Sequence, residues 1–301
     1  MLGVSCAMML NAAAFAQQED VSKIEITTQP VAENIHLLNA GYSGNIGVFV
    51  GEQGIFIIDS GNYRDESLLD RMTAAIAKIS PQPIRFMLNT HWHFDHVKGN
   101  EYFSKRGATL MAHENTWKYL SNDQTLTAFN ATIPAAPKEA QPLVAFTDAL
   151  TLRMNGDELF IFHPGAAHTD GDAVVYWRNA NVLHTGDLYF EGMYPFIDIE
   201  HGGSINVMID SATKVLGMMN DTTKIIPGHG PVSDKAKMQA YVAMLTDIRD
   251  KVRGLIAEGK TADEVVAAKP TAQYDEGWGK LFMNPEQFTK LVYSDLIREK
   301  K

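Results

Sequence analysis

The sequence predicts an α/β fold in which two β-sheets pack together with helices outside, followed by a helical C-terminal tail. Short runs rich in Ile, Val and Phe occur in both halves of the chain, each set followed by a segment with helical apolar spacing. Beyond Asp234 the spacing is helical alone.

The first β-like runs are 35–40, 45–51 and 54–59, separated by short turns with Gly and Asn. Residues 66–79 then place Leu68, Leu69, Met72, Ile76 and Ile79 on one helical face, and Pro81 and Pro83 close that helix. A strand over 84–90 delivers the chain into His91. A looser repetition follows, with a strand at 108–112, a helix at 113–120, and strands at 159–163, 173–177 and 181–185. A helix over 205–218 and a strand over 224–227 complete this half. Long amphipathic spacing over 234–257, then 261–268 and 285–298, makes up the tail. The domain layout expected is a leader at 1–16, a catalytic domain at 17–258 and a helical extension at 259–301.

Hydrophobic residues make up 45% of the 301 and charged residues 21%, the balance of a globular protein. The net charge of −10 argues against nucleic acid as a partner, because a phosphate backbone selects a basic surface. Met1 to Ala16 is small and apolar and ends in Ala14-Phe15-Ala16 ahead of Gln17-Gln18-Glu19-Asp20. That is the pattern of a signal peptide cut after Ala16, although no Lys or Arg precedes the apolar run. The chain is expected to be periplasmic or secreted, with no membrane association after cleavage. The single cysteine, Cys6, lies inside the leader, so any metal must be held by histidine and carboxylate. Oligomeric state is not legible.

His91, His93, Asp95 and His96 fall within six positions at the end of a strand. Residues two apart point the same way in extended chain, so His91 and His93 can share one ion, with Asp95 and His96 turned toward a second. Imidazole nitrogen and carboxylate oxygen are ligands zinc accepts without thiolate. Three further candidates follow later strands beside glycine: His168 in Ala167-His168-Thr169-Asp170-Gly171, Asp187 in Thr185-Gly186-Asp187, and His229 in Gly228-His229-Gly230. His163 and His184 sit within strand patterns and read as packed residues. His201, in Glu200-His201-Gly202-Gly203, is placed near a pocket mouth, and Trp92 and Phe94 beneath the ligand loop.

This ordered set, H-x-H-x-D-H followed by a histidine, an aspartate and a final histidine, resembles the metallo-β-lactamase superfamily over about residues 35–232. The resemblance implies a four-layer αββα sandwich (the metallo-β-lactamase fold) with a C-terminal helical extension. It also implies two zinc ions: His91, His93 and His168 on the first, Asp95, His96 and His229 on the second, with Asp187 bridging. Asp59 matches a carboxylate that buttresses a ligand, and Asp95 the group that orients the attacking water. The activity implied is hydrolysis of a small-molecule substrate by attack on a carbonyl, with β-lactam ring opening the first candidate. A lactonase, an esterase or a glyoxalase II-like thioesterase is the alternative, and a di-iron redox or metal-binding protein the non-hydrolytic one. Many β-lactam hydrolases of this fold place a Lys near the strand of the bridging ligand. Here Phe190 stands three residues beyond Asp187.

Overall fold

In Asp157–Phe162 the residues Asp157, Leu159 and Ile161 are buried with Glu158 and Phe160 half-buried between them, and Phe162 at the end is buried in the layer on the other face. Ile46–Phe49 and Ile55–Ile58 are instead buried at every position, so both faces of their sheet are covered. The computed structural model describes residues 20–298; the leader and Cys6 lie outside them.

Fifteen strands are described among these residues: β1 (Ile26–Pro30), β2 (Ile35–Ala40), β3 (Ile46–Phe49), β4 (Ile55–Ile58), β5 (Ile84–Leu88), β6 (Thr109–His113), β7 (Gln124–Leu126), β8 (Ala131–Ile133), β9 (Val144–Phe146), β10 (Ala149–Met154), β11 (Asp157–Phe162), β12 (Val174–Trp177), β13 (Val182–His184), β14 (Lys224–Ile226) and β15 (Ser233–Asp234). One sheet runs β1-β2-β3-β4-β5-β6-β9, the other β10-β11-β12-β13-β14-β15, and β7 and β8 form a separate hairpin. The pairs β4–β5, β5–β6, β6–β9 and β13–β14 are parallel. Parallel neighbours need a crossover, which helices supply. Helix α1 (Glu66–Ile79) links β4 to β5, and the short α2 (Phe94–Val97) and α3 (Asn100–Lys105) lie between β5 and β6. Helix α4 (Glu114–Leu120) precedes the hairpin, and α5 (Ile205–Gly217) links β13 to β14. Helices α6 (Lys235–Ala257), α7 (Ala262–Ala267), α8 (Asp275–Trp278) and α9 (Pro285–Arg298) follow.

Three apolar layers hold these elements. Helix α1, capped by Asp65 accepting from Leu68 N at 3.1 Å, lays Leu68, Met72 and Ile76 over the outer face of the first sheet. Between the sheets lie Phe49, Phe56, Ile58, Leu159, Ile161 and Trp177. The outer face of the second sheet is covered by α5, α6 and α9, through residues such as Met208, Tyr241, Leu245, Phe288 and Val292. The result is the αββα sandwich. The tail as far as Arg298 shares this third core. Among the described residues no helix is long and apolar enough to cross a membrane.

Sequence patterning misses β1, the β7–β8 hairpin, β9, β10 and β15. β1 is mostly exposed and β10 alternates exposed and half-buried residues at a sheet edge, so neither presents a continuous apolar run. It also reads 91–96 as loop, whereas Asp95 and His96 sit on the single turn of α2; four residues are too few for helical periodicity to register.

Trp177 is fully buried 6.0 Å from Phe49, and its Nε1 meets no acceptor among the described residues. Trp177→Ala should therefore cost about 3–5 kcal/mol in denaturant unfolding. Trp177→Phe should cost under about 1.5 kcal/mol, since it also removes an unpaired buried donor. Equal losses from the two would contradict this packing.

Candidate metal centre

Every residue singled out for metal binding lies just beyond the carboxyl end of a strand, the edge where open α/β sheets gather ligand groups. Asp59 follows β4, His91 to His96 follow β5, and His168 follows β11. Asp187 follows β13 and His229 follows β14. The packed sheets bring these ends together. One donor atom from each of His91, His93 and His168 lies within 4.8 Å of the others, and the same holds for His91, His96 and Asp187 and for Asp95, His96 and His229.

The far nitrogen of four of these imidazoles is bonded to oxygen, which fixes the ring and turns its other nitrogen toward the cluster. His168 Nδ1 donates to Phe196 O at 2.8 Å, and His93 Nε2 to Asp198 Oδ2 at 2.8 Å. His96 Nδ1 donates to Asp59 Oδ2 at 2.7 Å. His91 Nδ1 lies 3.1 Å from Thr90 Oγ1, which itself donates to Asp59 Oδ2 at 2.8 Å. Asp59 thus orients one ring directly and another through a hydroxyl.

The inward atoms fit a cation. His93 Nδ1 and His168 Nε2 are 2.8 Å apart, both as lone pairs given their outer bonds, a contact that repels unless positive charge lies beside it. His91 Nε2 and Asp187 Oδ1 are buried with no hydrogen-bond partner among the described residues. In the other triad, His96 Nε2 is 3.5 Å from Asp95 Oδ2 and 3.4 Å from His229 Nε2, and His229 Nε2 is 3.2 Å from Asp95 Oδ2. A tetrahedral ion with bonds of about 2.0–2.1 Å needs donors about 3.3 Å apart. Asp187 faces both triads, with Oδ2 3.5 Å from His168 Nε2 and 3.5 Å from His229 Nε2, and Oδ1 3.2 Å from His96 Nε2.

Protonation follows the same division. Burial holds His91 far below the usual histidine range and His168 down at about 4, so both stay neutral. Burial also opposes charge on His96 and His229, but the Asp187 and Asp95 carboxylates outweigh it, raising His96 well above its usual range and His229 to about 9. Access differs too: the side chains of Asp95 and His229 are 21% and 23% exposed, against 0% for His91 and 1% for His168. The centre opens on the Asp95–His229 side.

Two glycines permit this crowding. A Cβ on Gly44 would stand 2.2 Å from His96 Cε1, and one on Gly228 would stand 2.0 Å from Asp187 Oδ1. Gly44 N donates to Asp95 O at 3.2 Å, and Asn45 Nδ2 donates to Pro227 O at 2.9 Å and to Gly230 O at 2.8 Å. The β2–β3 turn therefore clasps both the α2 and the His229 loops. Under the ligand loop, Asn89 and Asn100 exchange amide hydrogen bonds of 3.0 and 2.8 Å, and Ser60 Oγ donates to Asn100 Oδ1 at 2.8 Å.

His113, His163, His184 and His201 are not among the clustered donors. His184 is fully buried, with Nε2 3.2 Å from Asn45 O, and His163 stacks on His113 at 4.3 Å. His201 does not line a mouth. It is buried behind His93, 4.6 Å from the Trp92 ring and with Nδ1 2.8 Å from Asp198 Oδ2. Trp92 packs under the loop with Val97, Leu120 and Leu126, while Phe94 is half-buried. Sequence reading overlooks Asp198, which has no glycine or motif beside it. It also passes over Asp172, whose carboxylate accepts from the backbone N of His168 at 2.7 Å and of Thr169 at 3.0 Å.

Asp198→Asn keeps an acceptor but removes the charge facing His93 and should lower metal affinity about 10–100-fold in chelator competition, with the fold intact. Unchanged affinity would show that His93 does not need this partner. A pH dependence follows from the raised histidines. In the metal-free chain their protonated forms contribute stability that is full below about 6.5 and lost as pH rises through about 9. A divalent ion must displace the same protons, so its apparent affinity rises over that interval. The melting-temperature gap between metal-loaded and metal-free protein should widen from about pH 7 to about pH 9, and a narrowing gap would contradict these protonation states.

Known proteins share this fold. Residues 40–229, more than half of the chain, match the family profile described as the metallo-beta-lactamase superfamily. A metallo-beta-lactamase type 2 from Elizabethkingia meningoseptica is 21% identical over 245 residues, covering 79% of this chain and 90% of that protein. A probable metallo-hydrolase from Methanocaldococcus jannaschii is 28% identical over 204 residues, covering 65% of this chain and 91% of its own. Among solved structures, a metallo-beta-lactamase from Pontibacter korlensis gives a TM-score of 0.60 at 18% identity, covering 74% of this chain and all 100% of that one. A sec-alkylsulfatase from Pseudomonas sp. gives 0.65 at 15% identity, covering 89% of this chain but 50% of its own. By its profile match, with the fold and the cluster in agreement, the chain belongs to the metallo-β-lactamase superfamily.

Proposed function

We propose that the protein is an exported dinuclear zinc hydrolase acting on carbonyl substrates, with β-lactams as the first substrate class. The observation that carries the reading is Asp187, a buried carboxylate facing two separate triads of nitrogen and oxygen donors. His91, His93 and His168 would hold one ion, Asp95, His96 and His229 the other, and Asp187 would serve both. Export rests on the leader-like residues 1–16.

When bound, zinc in such a site supplies Lewis acidity, bringing a water's pKa toward about 7 and polarising a carbonyl oxygen. The chain's own groups do the rest. His91 and His168 stay neutral and so present lone pairs. Asp95 is at the open side, and although burial opposes its charge, His96 and His229 hold it well below the usual carboxylate range. It is therefore an anion able to orient a water and take its proton. The buried wall of His91, His93 and His168 keeps bulk solvent on one side.

A specific contact favours a second reading. Phe190, three residues beyond Asp187, is buried and stacks on His229 at 5.3 Å and 13°, so this position offers no cation to a β-lactam carboxylate. Lactones and esters need carry no such carboxylate. The test is a hydrolysis panel on zinc-loaded protein, comparing a β-lactam, a lactone, an ester, a thioester and a phosphodiester. Turnover of the β-lactam supports the first reading; an untouched β-lactam beside rapid ester or lactone turnover replaces it with the second. Asp95→Asn should lower kcat by about 100-fold or more while part of the metal is retained, and unchanged turnover removes Asp95 from its role. Metal analysis should find two zinc per chain, with two iron pointing to redox chemistry instead.

A further inference from the structure

Three phenyl rings from distant parts of the chain meet beside the first triad. Phe94 belongs to α2, Phe129 to the turn between β7 and β8, and Phe282 to the segment before α9. Phe94 and Phe129 are 6.2 Å apart edge to face, and Phe129 and Phe282 are stacked at 6.3 Å and 21°. Phe129 also meets Phe196 at 5.3 Å, and the Phe196 ring lies 5.9 Å from that of His93. The hairpin that carries Phe129 is tied down by Thr127 N donating to Glu200 Oε2 at 3.0 Å and Ala136 N donating to Leu120 O at 2.8 Å.

Phe196 is buried, but Phe94, Phe129 and Phe282 are each half-buried, and Phe94 shares the turn of α2 with Asp95, so the aromatic patch borders the open side of the centre; Lys98 Nζ lies 4.9 Å from the Phe94 ring. Single apolar residues on a surface need no explanation, whereas three converging on a cluster of candidate metal ligands from separate segments form a contiguous patch. Small-molecule sites are mostly apolar walls with a few polar groups at the reacting end.

We propose that this wall binds an apolar alkyl or aryl group of the substrate, so that the substrates are hydrophobic esters, lactones or lactams rather than small polar ones. The inference rests on the hydrolase reading for the reaction and on the three rings for selectivity. The β7–β8 hairpin and the C-terminal tail each supply one face of the wall, so selectivity is built from segments outside the two sheets.

Binding can be read without turnover. Cobalt-loaded protein is titrated with ethanethiol and with hexanethiol, following the thiolate-to-cobalt absorption band. Each buried CH2 is worth about fourfold in affinity, so hexanethiol should bind at least about tenfold tighter. Phe129→Ala and Phe282→Ala should each cut that preference about threefold or more, with ethanethiol affinity unchanged. Phe129→Leu, which restores apolar surface, should keep most of it. In parallel, kcat/KM is compared for 4-nitrophenyl acetate and hexanoate on zinc-loaded protein. Equal affinity for the two thiols, or a preference that survives both alanine variants, overturns the wall even if esters are hydrolysed. A chain-length preference in thiol binding with none of the hydrolysis panel turned over leaves the wall standing and overturns the hydrolase reading. Failure to take up cobalt or zinc overturns both.

Discussion

The carboxylate of Asp59 is the point on which the site's geometry turns. It accepts from Thr90 N at 2.7 Å and Thr90 Oγ1 at 2.8 Å, and meets His96 Nδ1 at 2.7 Å, all with no exposure to solvent. Its backbone is left-handed, with φ at +64°. That conformation costs about 1–2 kcal/mol for most residues and less for Asp. Charge-assisted hydrogen bonds of about 1.5–3 kcal/mol each outweigh it. The strain turns the chain sharply at the end of β4, so a single carboxylate reaches both the end of β5 and α2. Without that turn the rings of His91 and His96 would have no common reference.

A second constraint is charge. Asp59, Asp95, Asp187 and Asp198 crowd one end of the sandwich, three of them buried. Burial opposes all of that charge. Around Asp187 and Asp95 the opposition is met by His229 and His96, held protonated, and around Asp198 by hydrogen bonds from His201 and His93. The cluster is thus balanced for positive charge at its centre whichever cation supplies it. The same pull that lifts His229 to about 9 favours a cation over a neutral occupant.

Much of this was legible in the sequence, for identifiable reasons. The helix at Glu66–Ile79 and the strand at Ile35–Ala40 were readable to the residue, because their apolar positions follow one period and turn residues or prolines bound them. The seven candidate ligands were visible because each follows a strand, four of them within six positions and the other three with glycine close by. What stayed hidden was whatever depends on tertiary proximity alone. Asp198 reaches His93 across 105 positions and Asn45 reaches Pro227 across 182, and nothing local marks either. The contact of Phe94, Phe129 and Phe282 depends on the same proximity: the three rings sit in unrelated local patterns and meet only where the hairpin and the tail pack together.

Gly44 and Gly228 carry a further consequence. At both positions a methyl group would occupy space already held by His96 or Asp187, so the hydrogen atom on the backbone is itself a part of the site. A histidine can be kept in a sequence after its function has gone, as a buried polar residue with a hydrogen bond. A glycine pressed against a ring or a carboxylate has no such second use. When related chains are compared, an alanine at either position reports a displaced ligand even where all seven candidate ligands are retained, and the two glycines become a more sensitive marker of an intact centre than the ligands themselves.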